Sequence, residues 1–240
     1  MKIGVKTYDN ADFLHQFKKN ADFFEIMAVQ DNDYSFLGEF SKAKPIVVHA
    51  EHQAFGTNPA DKSKEIQDKG SIKFAQQIAN LNGTEKIVIH PGRIENTNCK
   101  KENAINFIKS LKDKRILIEN LPSENSLCKT PDEVKEFMKK TKCGFCFDIN
   151  HAIISAINQK KDYIKFLKEF IKLKPSHYHF GGQKIAEKKD SHLSLAESEI
   201  DLKEIIKLLP KNAEITLETE QDIEKTEQDI KIIKNMIKQI

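Results

Sequence analysis

The chain has 240 residues, of which 39% are hydrophobic and 31% are charged. This composition provides enough apolar side chains for a core and excludes an intrinsically disordered protein. The formal net charge is only +3, which excludes both the strong field of a dedicated nucleic-acid binder and that of an acidic tail. Only Arg93 and Arg115 are arginines, so binding to nucleic acid would depend mainly on lysine.

No apolar run approaches the ~18 residues that a membrane span needs, and no apolar leader follows Met1, so we expect a cytoplasmic protein. The four cysteines are too few for a disulfide framework, and we expect them to be reduced. Cys143 and Cys146 form a CxxC pattern on a predicted strand. Residues three apart on a strand face opposite sides, so this pair predicts neither a disulfide nor a zinc site.

Short apolar segments alternate with amphipathic, lysine-rich segments along the whole chain. The apolar segments predict eight strands, at residues 2–6, 23–29, 45–49, 86–90, 115–119, 144–148, 177–179 and 214–218. The amphipathic segments predict eight helices, at residues 11–19, 34–43, 62–81, 101–112, 131–140, 153–173, 202–209 and 223–237.

Strict alternation of strands and helices predicts a parallel sheet with helical crossovers. The alternatives are a closed (β/α)8 TIM barrel and an open, doubly wound sheet. The open sheet usually carries a phosphate-binding glycine turn, and the sequence has neither GxGxxG nor a P-loop. We therefore predict an α/β fold with a single TIM-barrel domain over residues 1–240.

Six of the eight predicted strands end in a side chain of a metal-ligand type. These residues are His49, His90, Glu119, Asp148, His179 and Glu218. In a TIM barrel the carboxyl ends of all strands meet at one mouth, so side chains far apart in sequence would share one site. Three further ligand types follow strand ends closely, namely His151, Asp190 and His192.

Imidazole and carboxylate ligands without thiolate suit zinc, manganese or iron. Nine such ligands exceed the coordination of one ion and predict two or three, with zinc as the first choice and manganese as an alternative. Burying so many charges together without a cation would cost several kcal/mol per ion.

Other polar residues have weaker patterns. His177 lies two residues before His179, so both side chains should point into the barrel, with His177 one layer deeper. At that depth we expect it to support a ligand or the structure and not to bind metal directly. His52 could line the mouth, and we expect His15 to lie on the surface or to pack. The segment 184–189 is either a solvated loop or a phosphate-facing segment, with Lys184 as a candidate substrate contact.

The strand ends resemble those of the endonuclease IV family of apurinic/apyrimidinic endonucleases, within the wider xylose-isomerase-like barrel superfamily. The matching segments, over about residues 45–220, are IVVHA, VIHPG, ILIEN, CFDINHA, HYHF, DSHLSLAESEID and ITLET. The DxxH of Asp148 and His151, followed by the DxH of Asp190 and His192, is the specific part. Single-metal sugar isomerases and epimerases of the superfamily generally keep only the equivalents of Glu119, Asp148, His179 and Glu218.

The resemblance implies three zinc ions and hydrolysis of the phosphodiester on the 5′ side of an abasic site in DNA repair. It implies three ligand sets: His49, His90 and Glu119; Glu119, Asp148, His179 and Glu218; and His151, Asp190 and His192. Glu119 would bridge two ions, and Glu218 could also orient or deprotonate water. We therefore take Glu119 and Glu218 as catalytic candidates, with His52 and Lys184 as substrate contacts.

The sequence departs from the family pattern where the family contacts DNA. His52 replaces an aromatic residue, Phe180-Gly181 replaces Asn-Asp, and Ala196 and Glu197 replace glycines. The loop 30–33 is short and lacks the arginine that the family inserts into DNA.

Three functions follow as hypotheses. The first is a zinc-dependent endonuclease IV-like phosphodiesterase that acts on abasic DNA as a monomer. The second is a divalent-metal sugar isomerase or epimerase, in which Glu119 and Glu218 transfer protons on opposite sides of one ion. The third is a non-catalytic barrel that binds nucleic acid or metal through its lysine-rich surface.

Overall fold

Eight parallel strands close into a barrel in the computed structural model, which describes residues 1–122, 124–186 and 190–239. Each strand pairs with the next one in sequence, and the first also pairs with the last. The strands are β1 (Lys2–Thr7), β2 (Phe23–Ala28), β3 (Ile46–Ala50), β4 (Ile87–Ile89), β5 (Ile116–Glu119), β6 (Gly144–Asp148), β7 (His177–Phe180) and β8 (Glu214–Leu217). The predicted (β/α)8 barrel is confirmed.

Nine α-helices surround the barrel in the described part of the chain. They are α1 (Ala11–Phe17), α2 (Leu37–Ser41), α3 (Glu65–Leu81), α4 (Lys101–Leu111), α5 (Pro131–Thr141), α6 (Ile149–Asn158), α7 (Tyr163–Ile171), α8 (Leu202–Leu208) and α9 (Ile223–Lys238). Short 3-10 turns occur at Gln53–Phe55, Lys62–Lys64 and Leu195–Glu197. The apolar faces of the α-helices pack on the outside of the barrel in one continuous core.

The prediction of one helix over residues 153–173 was wrong, because the structure has two helices there, α6 and α7. Lys160 has a positive φ of 54°, which the right-handed α-helix does not allow. Asp162 then caps α7 by accepting a hydrogen bond from the backbone N–H of Lys165 at 3.0 Å. The apolar periodicity continues through both helices and therefore does not show the break.

The floor of the barrel interior is apolar. Phe23, Val47, Val88, Leu117 and Cys146 point inward from five strands and form a small cluster of their own. A side chain at Gly4 would collide with the ring of Phe23, so the glycine in β1 lets this ring lie across the barrel. The layers above the floor are polar and lead to the mouth.

All four cysteines are free thiols, as predicted. In the described part of the chain, none of the helices combines the length and the apolar character that crossing a membrane requires.

Candidate metal centre

The six ligand-type residues at the strand ends converge on one mouth of the barrel. Four of them, His49, His90, Glu119 and Glu218, line a cavity of about 380 Å³ together with His151, Asp190 and His192. The other two, Asp148 and His179, are buried. The convergence follows from the closed parallel barrel, in which every strand points its carboxyl end to the same side. Three groups of imidazole and carboxylate donors lie at this mouth.

The first group, the His–His–Glu group, consists of His49, His90 and Glu119. Glu119 Oε2 lies 3.1 Å from His49 Nε2 and 3.4 Å from His90 Nε2. The other ring nitrogen of His49 donates to the carbonyl of Ala50 at 2.7 Å, which fixes the orientation of its ring. These three side chains form an open triad with one shared carboxylate.

The four-residue group consists of Glu119, Asp148, His179 and Glu218. His179 Nδ1 lies 2.9 Å from Glu218 Oε2, 3.4 Å from Glu119 Oε2 and 3.9 Å from Asp148 Oδ2. Three carboxylates therefore surround one imidazole nitrogen at the centre of the mouth. Glu119 belongs to this group and to the His–His–Glu group, as the resemblance implies.

The Asp–His–Asp group consists of Asp148, His151 and Asp190. His151 Nε2 is 3.4 Å from Asp190 Oδ2, and His151 Nδ1 is 3.7 Å from Asp148 Oδ2. Asp148 ends β6 and caps α6 by accepting a 2.6 Å hydrogen bond from the backbone N–H of His151. This cap brings the two members of the DxxH motif to the same point.

The resemblance implies His192 as a ligand with His151 and Asp190, but the structure brings Asp148 into that group instead. His192 Nδ1 is 3.7 Å from Asp190 Oδ2 and hydrogen-bonds to the carbonyl of Glu218 at 3.1 Å. The His192 side chain is 47% exposed and its φ is 48°, so it stands at the rim of the cavity.

Two buried atoms of the four-residue group test whether a cation fits. His179 Nδ1 and Glu218 Oε2 are 2.9 Å apart, yet neither has a hydrogen-bond partner. Buried polar atoms without partners are rare in native proteins, and a cation bound between them would satisfy both. The donors are imidazole and carboxylate, which suits zinc or manganese. Burial raises the pKa of nearby Cys146 to about 12, so it remains a neutral thiol.

Without a cation, the charges in the cavity are balanced among the side chains. Burial alone would raise the pKa of Glu119, but His90 and His179 hold it well below its usual range. Burial raises the pKa of Asp148 to about 7, with Asp190 and Glu119 adding to the effect. Burial lowers the pKa of His90 to about 4. Burial opposes the charge of His151, but Asp148 and Glu119 raise the pKa of this imidazole to about 10. The metal-free site therefore holds protonated imidazole beside its carboxylates, and binding of a metal would release protons.

A buried layer beneath the mouth contains two charged residues that the sequence analysis missed, Lys6 and Glu25. Lys6 Nζ donates to Glu218 Oε1 at 2.6 Å and lies 3.5 Å from Glu25 Oε1. Glu25 Oε2 lies 3.1 Å from His179 Nε2 and accepts a 2.6 Å hydrogen bond from the Thr216 hydroxyl. Their signal in the sequence is one charge at an inward-facing position of each of the first two strands.

His177 lies in this layer as expected, with Nε2 2.9 Å from Glu25 Oε2. His52 lines the cavity, and its ring stacks on His90 with 5.1 Å between centroids. Lys184 is exposed and is not among the residues that line the cavity. Part of its predicted lysine-rich segment, residues 187–189, lies outside the described residues.

Comparisons with known proteins agree with this architecture. A D-tagatose 3-epimerase-like protein is 20% identical, with a TM-score of 0.76 over 99% of this chain and 97% of its own. Endonuclease IV from Thermus thermophilus is 15% identical, with a TM-score of 0.72 over 100% of both chains. The IOLI protein with a bound zinc atom is 14% identical, with a TM-score of 0.71 over 98% of this chain and 96% of its own.

At such identities these structures show the fold alone. No curated protein matches the sequence significantly. The sequence profile described as xylose isomerase-like TIM barrel matches residues 18–236, which is most of the chain. The chain therefore belongs to the xylose isomerase-like TIM barrel family.

Proposed function

We propose that the protein is a zinc-dependent phosphodiesterase that cleaves DNA on the 5′ side of abasic sites and leaves a 3′-hydroxyl. The observation that carries this proposal is the Asp–His–Asp group beside the other two groups. A single ion uses four to six ligands, whereas eight donor residues meet here in three overlapping sets. Sites with several metals are typical of phosphodiester hydrolysis.

Glu119 and Asp148 would join the ions, because each belongs to two groups. Bound zinc would stabilise negative charge on the phosphate oxygens and acidify water. Lys6 donates to Glu218 Oε1, which leaves Glu218 Oε2 facing His179 Nδ1 of the same four-residue group. We assign Glu119 the position shared by two ligand sets, and we assign Glu218, whose Oε2 would hold an ion, the orientation of the water that this ion binds. His52 and His192 at the rim would contact the substrate.

A second candidate is a divalent-metal sugar isomerase or epimerase. The four-residue group alone could hold one ion, with Glu119 and Glu218 both available for proton transfer. The similarity to a D-tagatose 3-epimerase-like fold is compatible with this candidate. It leaves His49, His90 and Asp190 without an evident role, which is why we place it second.

Metal content and DNA cleavage decide between the two functions. We would measure metals per chain in protein purified without chelator, and cleavage of a duplex with one abasic site. We expect nearly three zinc ions and cleavage in the wild type. Asp190→Ala should lose one ion and cleave about 100-fold or more slowly. Asp12→Ala, an exposed acid in α1, should match the wild type.

One manganese per chain and an intact duplex would contradict the nuclease proposal, and turnover of a ketose would then establish the second candidate. Salt-dependent DNA binding that survives Glu119→Gln, without turnover by the wild type, would indicate a non-catalytic barrel.

A further inference from the structure

Arg93 is a cationic side chain that lines the cavity and belongs to none of the three donor groups. It follows β4 by four residues, in the sequence His90-Pro-Gly-Arg93, and lines the same cavity as the three donor groups. Of the 39 basic residues it is one of two arginines. Arginine differs from lysine in offering a planar fork of donors that matches two oxygens of a phosphate or carboxylate.

The two arginines have opposite environments. Arg115 is satisfied within the protein, because its Nη2 lies 2.7 Å from Asp113 Oδ2 and its Nε 3.0 Å from Asp113 Oδ1. Arg93 forms no ion pair with any carboxylate of the described residues, and its Nε is buried without a hydrogen-bond partner. A buried guanidinium donor that lacks a partner is costly unless a ligand supplies the acceptor.

The backbone of Arg93 is held from two sides. The Asn58 side chain accepts a hydrogen bond from the Arg93 N–H at 2.9 Å and donates one to the Arg93 carbonyl at 3.0 Å. On the other side, Arg93 pairs with Ser126 in an antiparallel bridge. Gly92 precedes it with a φ of 102°, and a side chain there would clash with Asn58 Oδ1. This fixed backbone reduces the entropy lost when the side chain binds a ligand.

We infer that Arg93 binds a phosphate oxygen of the substrate beside the metal groups and so restricts the substrate class to phosphoryl compounds. The inference rests on the proposed function for its location, since the phosphate would lie between Arg93 and the metal groups. The carboxyl groups of Glu119, Asp190 and Glu218 line the same cavity and would repel a phosphate in the absence of metal. Arg93 would attract the phosphate with a positive charge that belongs to the protein.

Selective chemical modification tests this inference on the wild-type, metal-loaded protein. Phenylglyoxal reacts with arginine, and mass spectrometry can follow both arginines in one sample. At phosphate concentrations of about ten to one hundred times the Kd, we expect modification of Arg93 to slow about ten- to one-hundred-fold. The rate at Arg115 should stay unchanged. An Arg93 that reacts equally with and without phosphate, or that does not react at all, would overturn the inference.

Variants provide a second measurement by calorimetric titration with inorganic phosphate. Arg93→Gln should bind phosphate about ten- to one-hundred-fold more weakly, with unchanged zinc content. Arg93→Lys should give an intermediate affinity, because it retains the charge and loses the fork. Arg115→Gln is the matched control and should bind phosphate like the wild type. Equal affinities in the wild type and Arg93→Gln would refute the role of Arg93.

Two competitors distinguish the source of the phosphate. Protection of Arg93 by a short abasic duplex and not by ribose 5-phosphate would indicate a polynucleotide, and the reverse would indicate a sugar phosphate. Both results support a phosphate ligand. A protein that protects Arg93 with phosphate and leaves the abasic duplex uncut refutes the proposed nuclease function alone. A protein that cuts the duplex with Arg93 unprotected refutes this inference alone.

Discussion

Lys6 Nζ donates a 2.6 Å hydrogen bond to Glu218 Oε1, and this contact joins the first strand to the end of the last one where the barrel closes. Lys6 is only 8% exposed and also lies 3.5 Å from the fully buried Glu25. Burial opposes the charge of this ammonium, but Glu218 and Glu25 raise its pKa above the usual value. The Lys6 ammonium therefore compensates two carboxylates at once.

Replacing Lys6 by methionine should destabilise the metal-free protein by about 3 to 5 kcal/mol, because two carboxylates lose their buried counter-charge. Urea denaturation of chelator-treated protein measures this change. Lys2→Met is the matched control, since Lys2 pairs with Glu214 at the exposed end of the same strand. We expect a much smaller effect there. Equal losses of stability in both variants would show that the buried ion pairs of Lys6 contribute no more than the exposed ion pair of Lys2.

The pH dependence of stability should contain a contribution from Asp68 in α3. Its burial raises its pKa from 3.8 to about 7, although it accepts a 2.8 Å hydrogen bond from the Asn58 N–H. A raised pKa in the folded state means that the folded protein holds the proton more tightly than the unfolded chain. This contribution to stability is complete below about pH 4 and is lost as the pH rises to about 7.

Asp68→Asn removes this titration. We expect the variant to be more stable than the wild type at pH 8, on the order of 1 to 3 kcal/mol, and nearly equal at pH 4. Urea denaturation at the two pH values checks the difference. Asp12→Asn, which replaces an exposed acid, should be neutral at both. A variant that is less stable than the wild type at pH 8 would contradict the conclusion that the ionised Asp68 carboxylate destabilises the folded protein.

Glu25 should position His179 for metal binding. Its carboxylate lies 3.1 Å from His179 Nε2, which leaves Nδ1 directed at the four-residue group. Loss of such a supporting carboxylate lowers metal affinity about 10- to 100-fold. Glu25→Gln should show this loss in competition with a chromophoric chelator. Glu51→Gln is the control, because buried Glu51 holds Gln30 instead. Unchanged affinity in Glu25→Gln would exclude the positioning role.

Gly182 should be required for the loop that carries Asp190. Its N–H donates to the Leu193 carbonyl at 2.7 Å, and a Cβ there would collide with the carbonyl of Ser194. Gly182→Ala should cost about 1 to 3 kcal/mol and reduce zinc binding at the Asp–His–Asp group. Calorimetric unfolding and zinc content measure the two effects. Gly38→Ala, in α2 with open space around its Cβ, should leave the zinc content unchanged and should not destabilise the protein.

The sequence predicted the barrel because eight strands alternated with amphipathic segments, and it predicted the convergence of His49, His90, Glu119 and Asp148 because barrel topology brings strand ends together. The ligand roles remain predictions. Lys6 and Glu25 escaped notice because a single charge in a short strand does not reveal which face points inward. The position of His192 depends on a loop whose conformation is set by contacts with Gly182 and Glu218. Such contacts have no signal in local sequence.

The interior of the barrel changes character along its axis. At the floor, Phe23 and Leu117 lie in an apolar layer, and Glu25 lies above them among polar partners. Water reaches the polar layers through the open mouth, and in the proposed function an ion and a substrate would use the same route. The ion would then have to arrive before or together with the substrate, because a substrate bound in the cavity would cover the donors. The architecture of the barrel would thus set the order of addition.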